Sequence, residues 1–116
     1  MRVAFTALAC LAAGAAHAAP KYRVTDLGGL AWYDSMAYAV NDRGDVVGHF
    51  DKAPGVDRAF VYSGGVLRDL DPGNPNRNIQ ARDINNKGQI AGYFGSSLTR
   101  NTDRAFIYEN GTFKDL

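Results

Sequence analysis

Two Asp-Arg dipeptides stand at matching points of the 116-residue chain, Asp57-Arg58 and Asp103-Arg104. The fork of N–H donors on an arginine can bind the carboxylate or phosphate of a ligand. The same dipeptide can instead form an ion pair that fixes the beginning of a strand, worth about 0–1 kcal/mol when exposed. Arg58 and Arg104 are therefore candidate ligand-binding residues, with the ion pair as the alternative.

Trp32 is a third candidate for ligand binding. An exposed indole beside Tyr33 and Asp34 would suit stacking on a sugar or an aromatic ligand. The alternative is that Trp32 covers an apolar end of the fold. His49 is most simply a strand residue.

Three other motifs suggest chemistry but are also typical of hairpin turns. Arg43-Gly44-Asp45 spells an adhesion tripeptide, residues 41–45 offer oxygen ligands for calcium, and Asn110-Gly111-Thr112 satisfies a glycosylation sequon. An EF-hand loop needs oxygen ligands at alternate positions and a distal glutamate, which are missing here. Asparagine and glycine together favour tight hairpins. The sequence thus predicts turns, and neither a metal site nor a cofactor.

The elements that position these residues come from an internal repeat. Residues 37–50 align with residues 81–94 at an offset of 44, and residues 57–62 align with residues 103–108 at an offset of 46. The shared positions that we expect to be structural are Asn41 and Asn85, Gly44 and Gly88, Gly48 and Gly92, and Phe60 and Phe106. Each copy ends on Asp-Leu, and Thr25-Asp26-Leu27 is an earlier ending of the same kind. Similarity at a fixed period is typical of repeat architectures.

Each copy predicts four short strands, about 36–41, 45–50, 58–63 and 66–70 in the first and 80–85, 89–94, 104–109 and 112–116 in the second. Segments 51–57 and 95–103 are predicted loops. Gly48 and Gly92 lie inside strands, which indicates a bulge or a close backbone approach. The fold class is therefore all-β, with two four-stranded antiparallel meanders that resemble the blades of a β-propeller.

Residues 1–18 are predicted to be a secretory signal, cleaved between Ala18 and Ala19. Arg2 precedes an uncharged apolar run over 3–14, which is shorter than the roughly 20 residues of a membrane span. Cys10 weakly suggests a lipoprotein instead. The predicted organisation is a signal (1–18), an N-terminal strand with the loop leading into the first repeat (19–35), repeat 1 (36–70) and repeat 2 (71–116). The protein is therefore expected in the periplasm or outside the cell.

Removal of the signal leaves 12 basic and 12 acidic residues, because Arg2 is one of 13 basic residues. That balance argues against a nucleic-acid partner. No cysteine remains, and His49 is then the single histidine, which excludes a thiolate nucleophile and any multi-histidine zinc site. We predict no catalytic residue.

The motifs over residues 22–116 resemble the HAF-repeat family of extracellular bacterial repeat proteins. They are Asp-Leu-Gly, then Ala-x-x-Val/Ile-Asn-x-x-Gly-x-Val/Ile-x-Gly, then Ala-Phe-Val/Ile-Tyr, then Gly-x-x-x-Asp-Leu. Both copies have Arg-Ala-Phe where the family has His-Ala-Phe. The resemblance implies export and a propeller-like repeat, and it supplies no activity.

These observations predict a binding or structural module that is not an enzyme. Propellers typically have 4–8 blades, so two would be incomplete as a monomer and self-association would be needed to close a ring. A lectin that binds carbohydrate as an oligomer, a fragment of a longer repeat protein, and an extracellular hydrolase acting through aspartates are the alternatives.

Overall fold

The structure, a computed structural model, describes residues 19, 21–28, 34–95 and 103–116. Eight strands run through them: β1 (Ser35–Val40), β2 (Val46–Ala53), β3 (Val56–Ser63), β4 (Val66–Asp69), β5 (Ile79–Ile84), β6 (Ile90–Phe94), β7 (Arg104–Glu109) and β8 (Thr112–Asp115). The predicted signal, the Ala18 side of its cleavage position, and Trp32 lie outside the described residues.

The strands form two four-stranded sheets, β1–β4 and β5–β8, here called the first and the second sheet. In each sheet the strands follow one another in chain order, and each neighbouring pair is antiparallel. The predicted all-β fold with two four-stranded antiparallel meanders is therefore confirmed.

An asparagine and a glycine close the first hairpin of each sheet. Asn41 Oδ1 accepts the backbone N–H groups of Arg43 and Asp45, both at 3.0 Å. Gly44 has a φ of 82°, a left-handed conformation that costs glycine little. The second sheet repeats this turn with Asn85, Lys87, Gly88 and Gln89.

Gly48 lies where the pairing of β1 with β2 shifts between Ala37 and Ala39. A Cβ on Gly48 would lie 1.9 Å from the carbonyl oxygen of Met36, far inside van der Waals contact. The predicted bulge and the predicted close approach are thus both present. The second sheet has the same shift beside Gly92.

The predicted loop over residues 51–57 is mostly wrong, because the strands on either side continue into it. β2 runs to Ala53 and β3 begins at Val56, directly opposite. Pro54 and Gly55 alone make the turn, and Gly55 has a φ of 77°. Proline followed by glycine is the preferred pair at the centre of a type II turn. In the second repeat, residues 96–102 lie outside the described part of the chain.

Each sheet has two distinct faces because side chains alternate along a strand. In the first sheet Phe50 and Phe60 lie on one side, here called the front face, and Val47 and Val61 lie on the other, the back face. The same positions define the faces of the second sheet. Its front face carries Ile79, Ala81, Ile90, Phe94, Phe106 and Phe113, and its back face carries Ala91, Tyr93, Ala105, Ile107 and Leu116.

The hydrophobic core lies between the back face of the first sheet and the front face of the second. Phe106 is fully buried there, with its ring 4.7 Å from Phe94 and 5.0 Å from Phe113. Tilted and edge-on ring pairs of this kind contribute about 0.5–1.5 kcal/mol each beyond burial. The two repeats therefore pack front to back, each in the same orientation.

Across the described ranges, which omit residues 1–18, 20, 29–33 and 96–102, no helix is long and apolar enough to cross a membrane.

Candidate functional site

Arg58 on β3 is completely buried, with 0 % of its side chain exposed. Its Nε and Nη2 donate to the two carboxylate oxygens of Asp69 on β4, at 3.1 and 2.9 Å. Its other N–H groups donate to the carbonyl oxygens of Asp71, Asn74 and Arg77. All five donors of the guanidinium are engaged within the chain. Arg58 in this arrangement has no N–H group left for a ligand.

The segment that links the two sheets wraps around Arg58. Within it, Arg77 pairs with Asp71 at 2.5 Å. The guanidinium carbon of Arg77 also lies 4.2 Å above the ring of Phe94, a cation–π contact that ties the link to the core. Two arginines thus organise the passage from one repeat to the next.

Arg104 occupies the equivalent position in the second sheet and pairs with Asp115 at 3.2 Å. The two side chains are 66 % and 52 % exposed. Both Arg58 and Arg104 therefore pair with the aspartate 11 residues further along the chain. The neighbouring Asp57 and Asp103, which the dipeptides suggested, are not their ionic partners among the described residues.

The two asparagine turns touch each other at one end of the core. Asn41 Nδ2 donates to the carbonyl oxygen of Asn85 at 3.0 Å. The N–H of Asp42 donates to Asn86 Oδ1 at 2.8 Å, and Asn86 Nδ2 donates back to Asp42 Oδ2 at 2.7 Å. These hydrogen bonds fix how the two sheets meet.

Asp45, the acidic end of the Arg-Gly-Asp tripeptide, is buried. Its carboxylate accepts hydrogen bonds from Ser63 Oγ at 2.7 Å, Asn41 Nδ2 at 2.9 Å and Arg43 Nε at 3.2 Å. The bond from Ser63 is the largest of the effects that hold the pKa of Asp45 below its ordinary value. The oxygens that an adhesion or calcium-binding role would use are thus engaged by protein donors. No three metal-ligating side chains gather anywhere in the described part of the chain.

A cleft of about 360 Å³ opens between the two sheets next to these turns, and we call it the interrepeat cleft. The back face of the first sheet and the front face of the second form its walls. Its polar lining consists of Arg43, Asp45, Ser63, Arg68, Lys87, Tyr108 and Asn110.

The interrepeat cleft carries more positive than negative charge. Arg43 is the ionic partner of Asp45, at 3.2 Å. Arg68 and Lys87 form no ion pair with any described residue. The two side chains come from different repeats and line one cavity. Two cations placed in this way can bind an anion through charge-assisted hydrogen bonds. The sequence analysis missed this site, because Arg68 lies on an ordinary strand, β4, and Lys87 in an ordinary turn, and packing alone places both beside one cavity.

A pair of carboxylates lies toward the other end of the first sheet. Asp51 and Asp57 are directly opposite each other on β2 and β3. Burial first, and then the charge of Asp57, raises the pKa of Asp51 above its ordinary value. Asp57 also accepts a hydrogen bond from Gln80 Nε2 at 2.6 Å. Two acids with unlike environments can divide the roles of proton donor and acceptor. No spacing in the sequence picks out this pair.

Buried polar atoms accompany the carboxylates. Gln80 Oε1 and His49 Nδ1 are buried without a hydrogen-bond partner among the described residues. The His49 ring stacks on Tyr38 of β1 at 5.4 Å. The guanidinium carbon of Arg82, which belongs to β5 of the second sheet, lies 4.3 Å above the same Tyr38 ring in the first sheet. His49 is thus a strand residue of the interface between the sheets.

The fold and these contacts define an all-β protein of two repeats packed front to back. Comparison of the chain with protein-family models, with curated proteins and with solved structures finds no match.

Proposed function

We propose that the chain is an exported β-repeat protein that acts as a binding module, with an anionic carbohydrate as the ligand of the interrepeat cleft. The observation that carries this proposal is the convergence of Arg68 and Lys87 on one cavity while the only carboxylate among its lining residues, Asp45, is already paired with Arg43. Export rests on the signal-like residues 1–18 and on the resemblance to the HAF-repeat family.

The lining chemistry favours an acidic sugar over a small inorganic anion. A uronate or sulfated sugar presents a charged group and several hydroxyls together. The cations of the cleft can bind the charged group of such a sugar, and the hydroxyl of Tyr108 and the amide of Asn110 can form hydrogen bonds with its hydroxyls. A cavity of about 360 Å³ is at the lower end of the range for small-molecule sites, of the order of one or two sugar rings.

Binding of short uronic-acid oligosaccharides, measured by isothermal titration calorimetry, tests the proposal. We expect binding that weakens as salt rises, because screening reduces the attraction between exposed charges. The double variant Arg68→Gln/Lys87→Gln should lose at least tenfold in affinity. The matched control is Arg23→Gln/Lys21→Gln, which removes the same two charges from exposed positions outside the cleft and should bind normally.

Neutral oligosaccharides of equal length complete the panel. If they bind as tightly as the acidic ones, or if the cleft variant binds like the control, the cleft is not an anionic-glycan site. If the protein cleaves the oligosaccharide and Asp51→Asn abolishes cleavage, the hydrolase alternative replaces the binding module.

A further inference from the structure

The N-terminal segment holds the position that the end of a preceding repeat would hold. Leu70, the last residue of repeat 1, is buried in the core with Phe94 and Phe106. Leu27 ends the earlier Asp-Leu motif and lines a groove with Phe50 and Phe60, the equivalents of those two phenylalanines on the front face of the first sheet. Residues 25–27 thus cover the front face of the first sheet in the same way as the end of repeat 1 covers the front face of the second sheet.

This cover is loosely attached. Residues 21–27 belong to no strand, and Tyr22 and Val24 are 88 % and 96 % exposed. The end of β4, by contrast, is paired to β3 in full register before it reaches Leu70. A segment that lacks strand pairing costs little to displace, since few backbone hydrogen bonds are lost.

The opposite end of the molecule exposes the matching surface. The back face of the second sheet repeats, position by position, the back face that the first sheet buries. Leu70 is 4 % exposed, whereas its equivalent Leu116 is 77 % exposed, and Ala105 is exposed where Ala59 is fully buried. A groove of about 410 Å³ runs beside Leu116 and Ile107.

We propose that a second copy of this chain occupies that groove, head to tail, and that Leu116 of one copy replaces Leu27 of the next. The packing of the two repeats within one chain is the template for the contact between chains. The receiving front face presents the same residue types, with Phe50, Phe60, Gly48 and Ala37 standing for Phe94, Phe106, Gly92 and Ala81. Residues 25–27 then act as an internal plug that competes with the incoming chain.

Such a contact joins two different surfaces, so it is heterologous. Contacts of this type close into a ring when the rotation between copies allows it and otherwise continue as a chain. This inference does not depend on the proposed ligand, because the interrepeat cleft lies within each copy.

Light scattering after size-exclusion chromatography, over a hundredfold range of protein concentration, tests the inference, with circular dichroism as the check on folding. We expect the native protein to gain mass as concentration rises. Leu27→Asp, which weakens the plug, should associate at concentrations at least tenfold lower. Leu116→Asp should stay a single chain. Val66→Asp, an exposed site on neither proposed surface, should behave like the native protein.

Mixing two blocked variants makes the test specific for head-to-tail contact. Leu116→Asp blocks the back face of the second sheet, and Ala37→Asp blocks the front face of the first. Each alone should stay a single chain, and the mixture should form one-to-one pairs that grow no further. A folded Leu27→Asp protein that stays a single chain throughout, or blocked variants that fail to pair when mixed, would overturn the inference.

Discussion

The guanidinium of Arg58 donates to both carboxylate oxygens of Asp69, and none of its side chain is exposed. The two residues lie on adjacent strands of one hairpin, eleven positions apart. This contact explains why the repeat keeps Arg-Ala-Phe and Asp-Leu together, since the first motif supplies the cation and the second supplies its partner. The same pairing at Arg104 and Asp115 shows that the motif encodes a cross-strand ion pair.

Arg58→Ala should be strongly destabilising. Removal of one partner from a buried ion pair leaves the other uncompensated, at a cost of about 3–5 kcal/mol. The substitution also removes the N–H groups that donate to the backbone carbonyl oxygens of Asp71 and Asn74 in the linking segment. Chemical denaturation measures the loss. Arg104→Ala is the matched control and should cost no more than about 1 kcal/mol, because its pair is exposed. Equal losses in the two variants would show that burial of Arg58 contributes nothing.

Gly48→Ala should destabilise the protein by about 1–3 kcal/mol or more, the usual cost of overpacking. The added methyl group would meet the carbonyl oxygen of Met36, and backbone cannot move aside as a side chain can. Gly73→Ala is the control, since a Cβ there has open space around it. Thermal unfolding of both variants gives the comparison. An unchanged midpoint for Gly48→Ala would mean that the bulge relaxes freely.

The turns and the meander order could be predicted because their causes are local. Asn41 accepts hydrogen bonds from backbone groups two and four residues away, and Gly44 adopts the positive φ that the turn requires. A few consecutive residues of sequence therefore contain the whole signal. The hairpin at Pro54-Gly55 also has a local signal. The surrounding residues Asp51, Lys52 and Asp57 are polar, a composition typical of loops, and they favour the loop that the sequence predicts there.

The contacts that could not be predicted depend on what packs against each repeat. Arg58 and Arg104 are the same residue in the same motif, yet one is buried and the other exposed. The difference arises because residues 71–77 fold over the first, and a local pattern carries no information about that cover. The interrepeat cleft could not be predicted for the same reason, since Arg68 and Lys87 line the same cavity only when the two sheets pack together.

Asp45→Asn should lower stability at neutral pH by about 1–3 kcal/mol, through the loss of charge-assisted hydrogen bonds to a buried carboxylate. The folded protein holds the pKa of Asp45 below its ordinary value, so the unfolded chain binds its proton first as pH falls. The stabilisation is complete above the ordinary pKa of about 4 and is lost as pH drops through the folded value.

Unfolding of the native protein and of Asp45→Asn between pH 7 and pH 2 checks this dependence. The difference between their free energies of unfolding should disappear in acid. Asp83→Asn, which replaces an exposed acid on β5, should follow the native protein. If the difference in free energy of unfolding is the same at every pH, the lost stability is due to packing and not to the charge of Asp45.

Asp51→Asn should have the opposite effect and raise the melting temperature at neutral pH. Burial and the charge of Asp57 raise the pKa of Asp51, so the folded protein holds its proton more tightly than the unfolded chain does. Ionised Asp51 therefore costs stability at pH 7, and that cost disappears as pH falls through the folded pKa toward the ordinary value. The gain from Asp51→Asn should be present at pH 7 and absent at pH 3.

Asp57→Asn separates charge repulsion from hydrogen bonding within the same pair. It removes the same repulsion but puts an amide where Gln80 Nε2 now donates to a carboxylate oxygen at 2.6 Å. We expect it to be no more stable than the native protein at pH 7, while Asp51→Asn melts higher. If Asp51→Asn melts lower at pH 7, the ionised carboxylate is stabilising and the repulsion between the two aspartates is outweighed. The two variants together therefore decide between two descriptions of this end of the first sheet. In one, charge repulsion between Asp51 and Asp57 destabilises the fold, as it does between the paired carboxylates of acid–base sites. In the other, hydrogen bonds to the carboxylates outweigh that repulsion.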